Sequence, residues 1–161
     1  MKYRQLTKEE LEELEPEFVR FLATNEVTAS DWVKMKENAP SKVNKLIEIF
    51  SDMVFDRILG RVTHLEHRSP RDLRLFKCDK DKIYLIGLKL DGTTTIDFTQ
   101  NIEAETMLQR FKNAPFGASL KMYRAEKSYK KERELELFDM MENGALIADG
   151  KLYGLLDNMN K

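Results

Sequence analysis

The chain has one cysteine, two histidines and four prolines in 161 residues, and each shortage closes off a class of explanation. A lone Cys78 cannot form an intramolecular disulfide or a cysteine-rich zinc site, and it fits a reducing compartment, with the cytoplasm as the default. No window approaches the ~20 apolar residues of a membrane span, and "MKYRQLTKEELEELE" lacks the apolar stretch of a secretory signal. A soluble protein without membrane contact is expected. Net charge is nearly absent too: 27 basic residues against 28 acidic ones leave -1, so nothing global argues for nucleic acid. A glycine-rich phosphate loop, a G-x-S-x-G turn and an H-E-x-x-H pair are all missing. No catalytic residue and no cofactor can be named, and an enzyme is the lesser expectation.

What is present is dense charge, 34% of all residues, unevenly distributed. Residues 61–90 hold eight Lys or Arg against four Asp or Glu, whereas residues 1–60 hold nine against twelve. By length the chain is one domain spanning 1–161. Its class reads as α+β: N-terminal helices over about 7–68, a three- to four-stranded antiparallel meander, and C-terminal helices over about 128–158.

The helical part follows from local signals. Thr7 followed by Glu10 is a capping box, and Leu11, Leu14, Phe18, Phe21 and Leu22 keep a 3.6-residue stripe. Pro16 inside that stripe predicts a kink, or a short helix running directly into a second. Ser30 opens a helix around "DWVKMKEN", ended by Pro40, and Ser41 caps the longest periodic segment. Val43, Leu46, Ile47, Phe50, Val54, Ile58, Val62 and Leu65 advance by threes and fours straight through Gly60. The unbroken phase predicts one helix over about 41–67, stopped by Ser69-Pro70.

After the stop the period shortens. "LRLFKC" and "KIYLIGLKL" are apolar runs, and Asp91-Gly92 before "TTTIDF" is a two-residue hairpin signal, giving three strands over about 73–98. An even-length loop centred between Lys80 and Asp81 pairs Cys78 with Ile83 and Phe76 with Leu85. It also sets Arg74 opposite Gly87, and the next turn puts Ile96 and Phe98 on the face of Cys78. Cys78 is therefore read as an inert, inward-facing thiol. Residues 102–113 form a short amphipathic helix with Ile102, Met107, Leu108 and Phe111 apolar, and "NAPFG" is a loop. "SLKMYRA" is the candidate fourth strand, over 119–125. A helix from about Ser128 to Asn143 follows, with Gly144 past its end, then a turn and a last short helix.

Candidate functional residues concentrate in "HLEHRSPRDLRLFKC", residues 64–78. As metal ligands, His64 and His67 fit only the helical reading; in a strand they would point to opposite faces. The structural alternative, which carries more weight, is a cationic last helical turn formed by His64, His67 and Arg68. Arg68, Arg71, Arg74 and Lys77 are the anion-binding candidates, because arginine presents a planar fork to carboxylate or phosphate. Against that role stand Asp72 among them, and the pairing of such an edge with acidic helices. "AEKSYKKERELEL", residues 125–137, alternates lysines with glutamates and reads as a solvated helix with pairs such as Glu126 to Lys130; an RNA-contacting surface flanked by Tyr123 and Tyr129 is the lesser reading.

Three phrases, "LTKEELEELEPEFVRFLA", "LEHRSPRDLRLFKC" and "GALIADGKLYGLL", together resemble a family of small uncharacterised bacterial proteins with no assigned activity. The resemblance carries over no site residue. The functional expectation is a non-enzymatic protein-interaction or regulatory domain, with a protein partner or a homodimer. It rests on the mixed surface charge, eight methionines and Trp32 on a short helix with few apolar neighbours. The alternative is an anion- or RNA-binding module built on the Arg68, Arg71, Arg74 and Lys77 edge, although nucleic acid is disfavoured by the charge balance.

Overall fold

The structure is a computed structural model and describes residues 1–92, 96–100, 102–112 and 118–159. The chain divides into two compact units, Met1–Gly60 and Arg61–Lys161.

The first unit is helical: α1 (Lys8–Glu13), α2 (Glu15–Thr24), α3 (Ala29–Asn38) and α4 (Pro40–Arg61). The Glu10 N–H donates to Thr7 Oγ1 at 3.2 Å and the Thr7 N–H donates to the Glu10 carboxylate at 2.8 Å, which closes the capping box. Pro16 lies in the first turn of α2, where its missing N–H costs nothing, so one short helix does run directly into another. Phe18, Phe21, Leu22, Phe50 and Val54 are buried together. Ser51 is buried among them and accepts the Leu6 N–H at 2.9 Å, so its hydroxyl is not left unsatisfied. Trp32 is not spare surface: its ring meets Phe18 edge-on at 5.3 Å.

Three boundaries differ from the sequence reading. The cap of α3 is Thr28, whose reciprocal bonds with Asp31 outcompete Ser30. The long helix starts at Pro40 rather than Ser41, since proline suits a first helical position. It also ends at Arg61, and His64–Ser69 is a strand.

The second unit contains β1 (His64–Ser69), β2 (Asp72–Cys78), β3 (Lys82–Gly92), α5 (Ala104–Lys112), β4 (Ala118–Ser128), α6 (Arg133–Glu142), β5 (Leu146–Ala148) and α7 (Lys151–Met159). The α+β class stands, with five strands rather than three or four, in the order β4-β3-β2-β1-β5 and antiparallel throughout. Ser69-Pro70, read as a helix stop, is the corner of the β1–β2 hairpin, in which Ser69 pairs with Asp72. The β2–β3 register is as deduced: Cys78 faces Ile83, Phe76 faces Leu85 and Arg74 faces Gly87. Asp91-Gly92 is not a hairpin. β3 runs through both residues and pairs them with Ser119 and Ala118 of β4. Gly92 does have positive φ (82°), but Asp91 does not, and a type I′ turn needs both. The strand expected after the turn is absent at 96–98, and its residues 93–95 lie outside the described residues, as does the "NAPFG" loop. The helix expected from Ser128 starts at Arg133, because β4 extends through Ser128. It closes at Gly144 (φ 108°), with the Gly144 and Ala145 N–H groups donating to the Met141 and Met140 carbonyls.

Alternation along the strands gives the sheet two unlike faces. Leu73, Leu75, Ile86, Leu88 and Leu90 point to one side and pack with Phe98, Met107 of α5, and Leu152, Tyr153 and Leu156 of α7. Phe98 therefore belongs to the face opposite Cys78, not to the same one. The other side carries His67, Arg74, Phe76, Cys78, Gly87, Tyr123 and Lys127, as the register requires. Cys78 is buried there, and desolvation raises its thiol pKa to about 11.

Candidate functional site

β1 and β2 set His67 directly across from Arg74. β4 brings Lys127 to the same face, and the corner between β4 and α6 adds Lys130 and Lys131. Together with Glu136 and Asp139 of α6 they line a groove of about 440 Å³ whose floor is Phe76, Met140 and Ala145. Four permanent cations face two carboxylates, so the groove is positive.

Glu136 organises this corner. Its carboxylate accepts the N–H groups of Lys130 and Lys131, the latter at 3.1 Å, and it pairs with Lys127 Nζ at 3.4 Å while its side chain is only 8% exposed. Burial pushes its pKa up, but the two N–H donors and the Lys127 ammonium more than offset this and hold it below the ordinary carboxylate value. Arg133 fixes the start of α6 by donating to the carbonyls of Cys78 at 3.0 Å, Asp79 at 3.1 Å and Val62. On the rim, Arg74 pairs with Asp72 at 3.1 Å and Lys131 pairs with Asp139. Lys130 has no ion-pair partner among the described residues.

Gly87 makes room for one further element of this face. A Cβ at that position would lie 2.0 Å from Tyr123 Cζ, so the tyrosine ring, rather than Arg74, lies over the glycine. The Tyr123 hydroxyl then donates to Asp72 at 3.0 Å.

The four predicted anion-binding residues do not converge. Arg74 lines the groove. Arg68 points to the opposite face, where it holds Glu66 through two bonds of 3.1 Å and donates to the Phe98 carbonyl, also at 3.1 Å. Arg71 donates to the Gly92 carbonyl at 2.8 Å. Lys77, three residues from Arg74 on one strand, falls on the other side with its ammonium over the Tyr84 ring. The histidines part in the same way. His67 lines the groove, and His64 lies with Glu66, Arg68, Asp149 and Lys151 around a second cavity of about 370 Å³. Burial, and then the charge of Lys77, depress the His64 pKa. In a strand the two imidazoles cannot share an ion, and no cluster of three metal-ligating side chains occurs among the described residues.

The sequence reading gave Lys127, Lys130 and Lys131 only a lesser role, as an RNA-contacting surface, because it placed them on a solvated helix. Glu126 in fact pairs with Lys82 at 3.8 Å on the other side of β4, not with Lys130. The available signal was the alternation that continues through "LKMYRAEK".

A family model matches residues 1–161, the full sequence. The chain belongs to a family of unknown function, DUF6495. No curated protein matches this family member. No solved structure matches it either. Among the described residues, no helix is long and apolar enough to cross a membrane.

Proposed function

We propose that this family member is a non-enzymatic interaction domain of the cytoplasm whose basic groove holds an acidic, partly apolar segment of a protein partner. The observation that carries the reading is the gathering of Arg74, Lys127, Lys130 and Lys131 over an apolar floor, from two stretches of chain some fifty residues apart that fold together in the sheet unit. Cations around a phenylalanine and a methionine suit carboxylates flanking an aliphatic side chain better than a phosphate chain. The floor contributes burial and the rim contributes orientation and encounter rate.

The tyrosines weigh against RNA. Tyr123 lies with its ring over Gly87 and its hydroxyl on Asp72, and the Tyr129 hydroxyl donates to the Asp79 carbonyl at 2.8 Å, so both rings already have intramolecular partners that a stacked base would have to share.

Fluorescence anisotropy with a labelled peptide of alternating glutamate and leucine tests the proposal, with an RNA oligonucleotide in a parallel arm. Peptide binding that weakens with salt and falls roughly tenfold or more, about 1.4 kcal/mol, in the Lys127→Glu, Lys130→Glu, Lys131→Glu variant is expected. Binding untouched by that variant would overturn the reading, and preferential RNA binding would establish the alternative module.

A further inference from the structure

We infer that the segment filling this groove is the acidic ridge on α1 and α2 of a second copy of the chain, so that the protein self-associates. The inference rests on the groove being a binding site for an acidic segment, and it adds the identity of that segment.

The ridge has the complementary chemistry. Phe18, Phe21 and Leu22 turn inward in the helical unit, which leaves Glu12, Glu13, Glu15 and Val19 facing out, Val19 being 56% exposed. Glu15 and Val19, four residues apart on α2, share one helix face, and Glu12 and Glu13 end α1 just before it. Nearby carboxylates are already engaged: Glu10 pairs with Arg4 at 2.8 Å and Glu17 lies 3.8 Å from Arg20. Glu12, Glu13 and Glu15 have no cationic partner among the described residues.

The groove presents the inverse, with a positive rim, a Lys130 that has no ion-pair partner among the described residues, and an apolar floor of Phe76 and Met140. An aliphatic side chain set beside three unpaired carboxylates meets an apolar floor ringed by cations. Each surface therefore supplies both parts that the other lacks. Each copy carries one ridge and one groove, so a dimer in which both contacts form reciprocally occupies all four surfaces.

Multi-angle light scattering on the full chain decides it. At low salt the mass should approach twice the chain mass, and raising the salt to about 0.5 M, where screening acts within a few ångströms, should return it to that of a monomer. Lys127→Glu with Lys130→Glu and Lys131→Glu should be monomeric, as should Glu12→Lys with Glu13→Lys and Glu15→Lys. An equimolar mixture of the two variants should associate again, since in one contact the acidic groove of the first meets the basic ridge of the second, and in the other the unaltered basic groove of the second meets the unaltered acidic ridge of the first. Recovery in the mixture also excludes misfolding as the cause of dissociation. A wild-type chain that stays monomeric at low salt, or variants that both self-associate like wild type, would overturn the inference. Peptide binding by a monomeric wild type would leave the groove standing while removing the second copy as its occupant. Absence of both would sink the two together.

Discussion

The two faces of the sheet are made by the same strands, yet one is closed by helices and the other is left partly open and charged. On one, Leu73, Leu75, Ile86, Leu88 and Leu90 are closed over by α5 and α7, and Ile86 and Leu73 have no exposed surface at all. On the other, Leu65, Cys78 and Ile83 are buried, but beside them a glycine, a tyrosine, a histidine and a line of cations are covered only in part, and all but Lys130 of those cations are paired with carboxylates rather than removed from water. The contrast teaches where stability and recognition are kept apart. Apolar burial at about 25 cal/mol per Å² accumulates on the closed face. Exposed ion pairs of the kind on the open face contribute about 0–1 kcal/mol each, which leaves their residues free to serve a binding role.

The separation can be broken most forcefully on the closed face. Ile86→Ala removes a fully buried side chain and is expected to cost about 2–5 kcal/mol in urea unfolding of the sheet unit. Lys127→Ala, on the same sheet, should cost no more than about 1 kcal/mol, because the ammonium is half exposed although its partner Glu136 is buried. Comparable losses from the two would dissolve the distinction. Glu136→Ala tests the one buried anion of the open face and should cost about 1–3 kcal/mol, because the Lys130 and Lys131 N–H groups lose their acceptor. The Glu136 pKa is lowered on folding, so its contribution is fully present above the ordinary value of 4.5 and is lost as pH falls through the folded value. The acid limb of the wild-type stability profile should therefore flatten in the variant.

A further pH effect should come from His64, on the closed-face side of β1. Its pKa is lowered from 6.5 by burial, so the unfolded chain binds the proton more readily and stability declines as pH drops below that value. His64→Gln should remove this decline; a decline that persists unchanged would assign it to another group.

Much of the helical unit was legible because its instructions are local. Thr7 and Glu10 sit three residues apart, and Pro16 acts on its own turn. The register of β2 against β3 was legible for a related reason, since a short even loop leaves few pairings and Cys78 opposite Ile83 follows from one of them. β1 was not legible. Val62 and Leu65 are buried in phase with the preceding helix, yet what makes His64–Ser69 a strand is pairing with β2 on one side and with β5, some eighty residues on, on the other. Misreading that strand placed both histidines and Arg68 on one cationic turn, whereas alternation splits them between faces. The groove was invisible for the same reason: Arg74 and Lys130 are neighbours only after β3 and β4 have paired. Asp91-Gly92 shows a subtler failure. The glycine does adopt the left-handed backbone its identity allows, but its neighbour does not, and β4 claims both as ladder residues.

A five-stranded sheet offers two unpaired margins, and a margin of free N–H and C=O groups is a template for uncontrolled aggregation. Here one margin is β5, only three residues long, and the other is β4, where lysine, arginine and glutamate recur along the strand. The first is too short to template a growing stack, and the second carries too much charge to stack on its own copy. The sheet thus carries its own safeguard against fibre growth, and concentrated protein should stay clear for as long as that short strand remains docked beside β1.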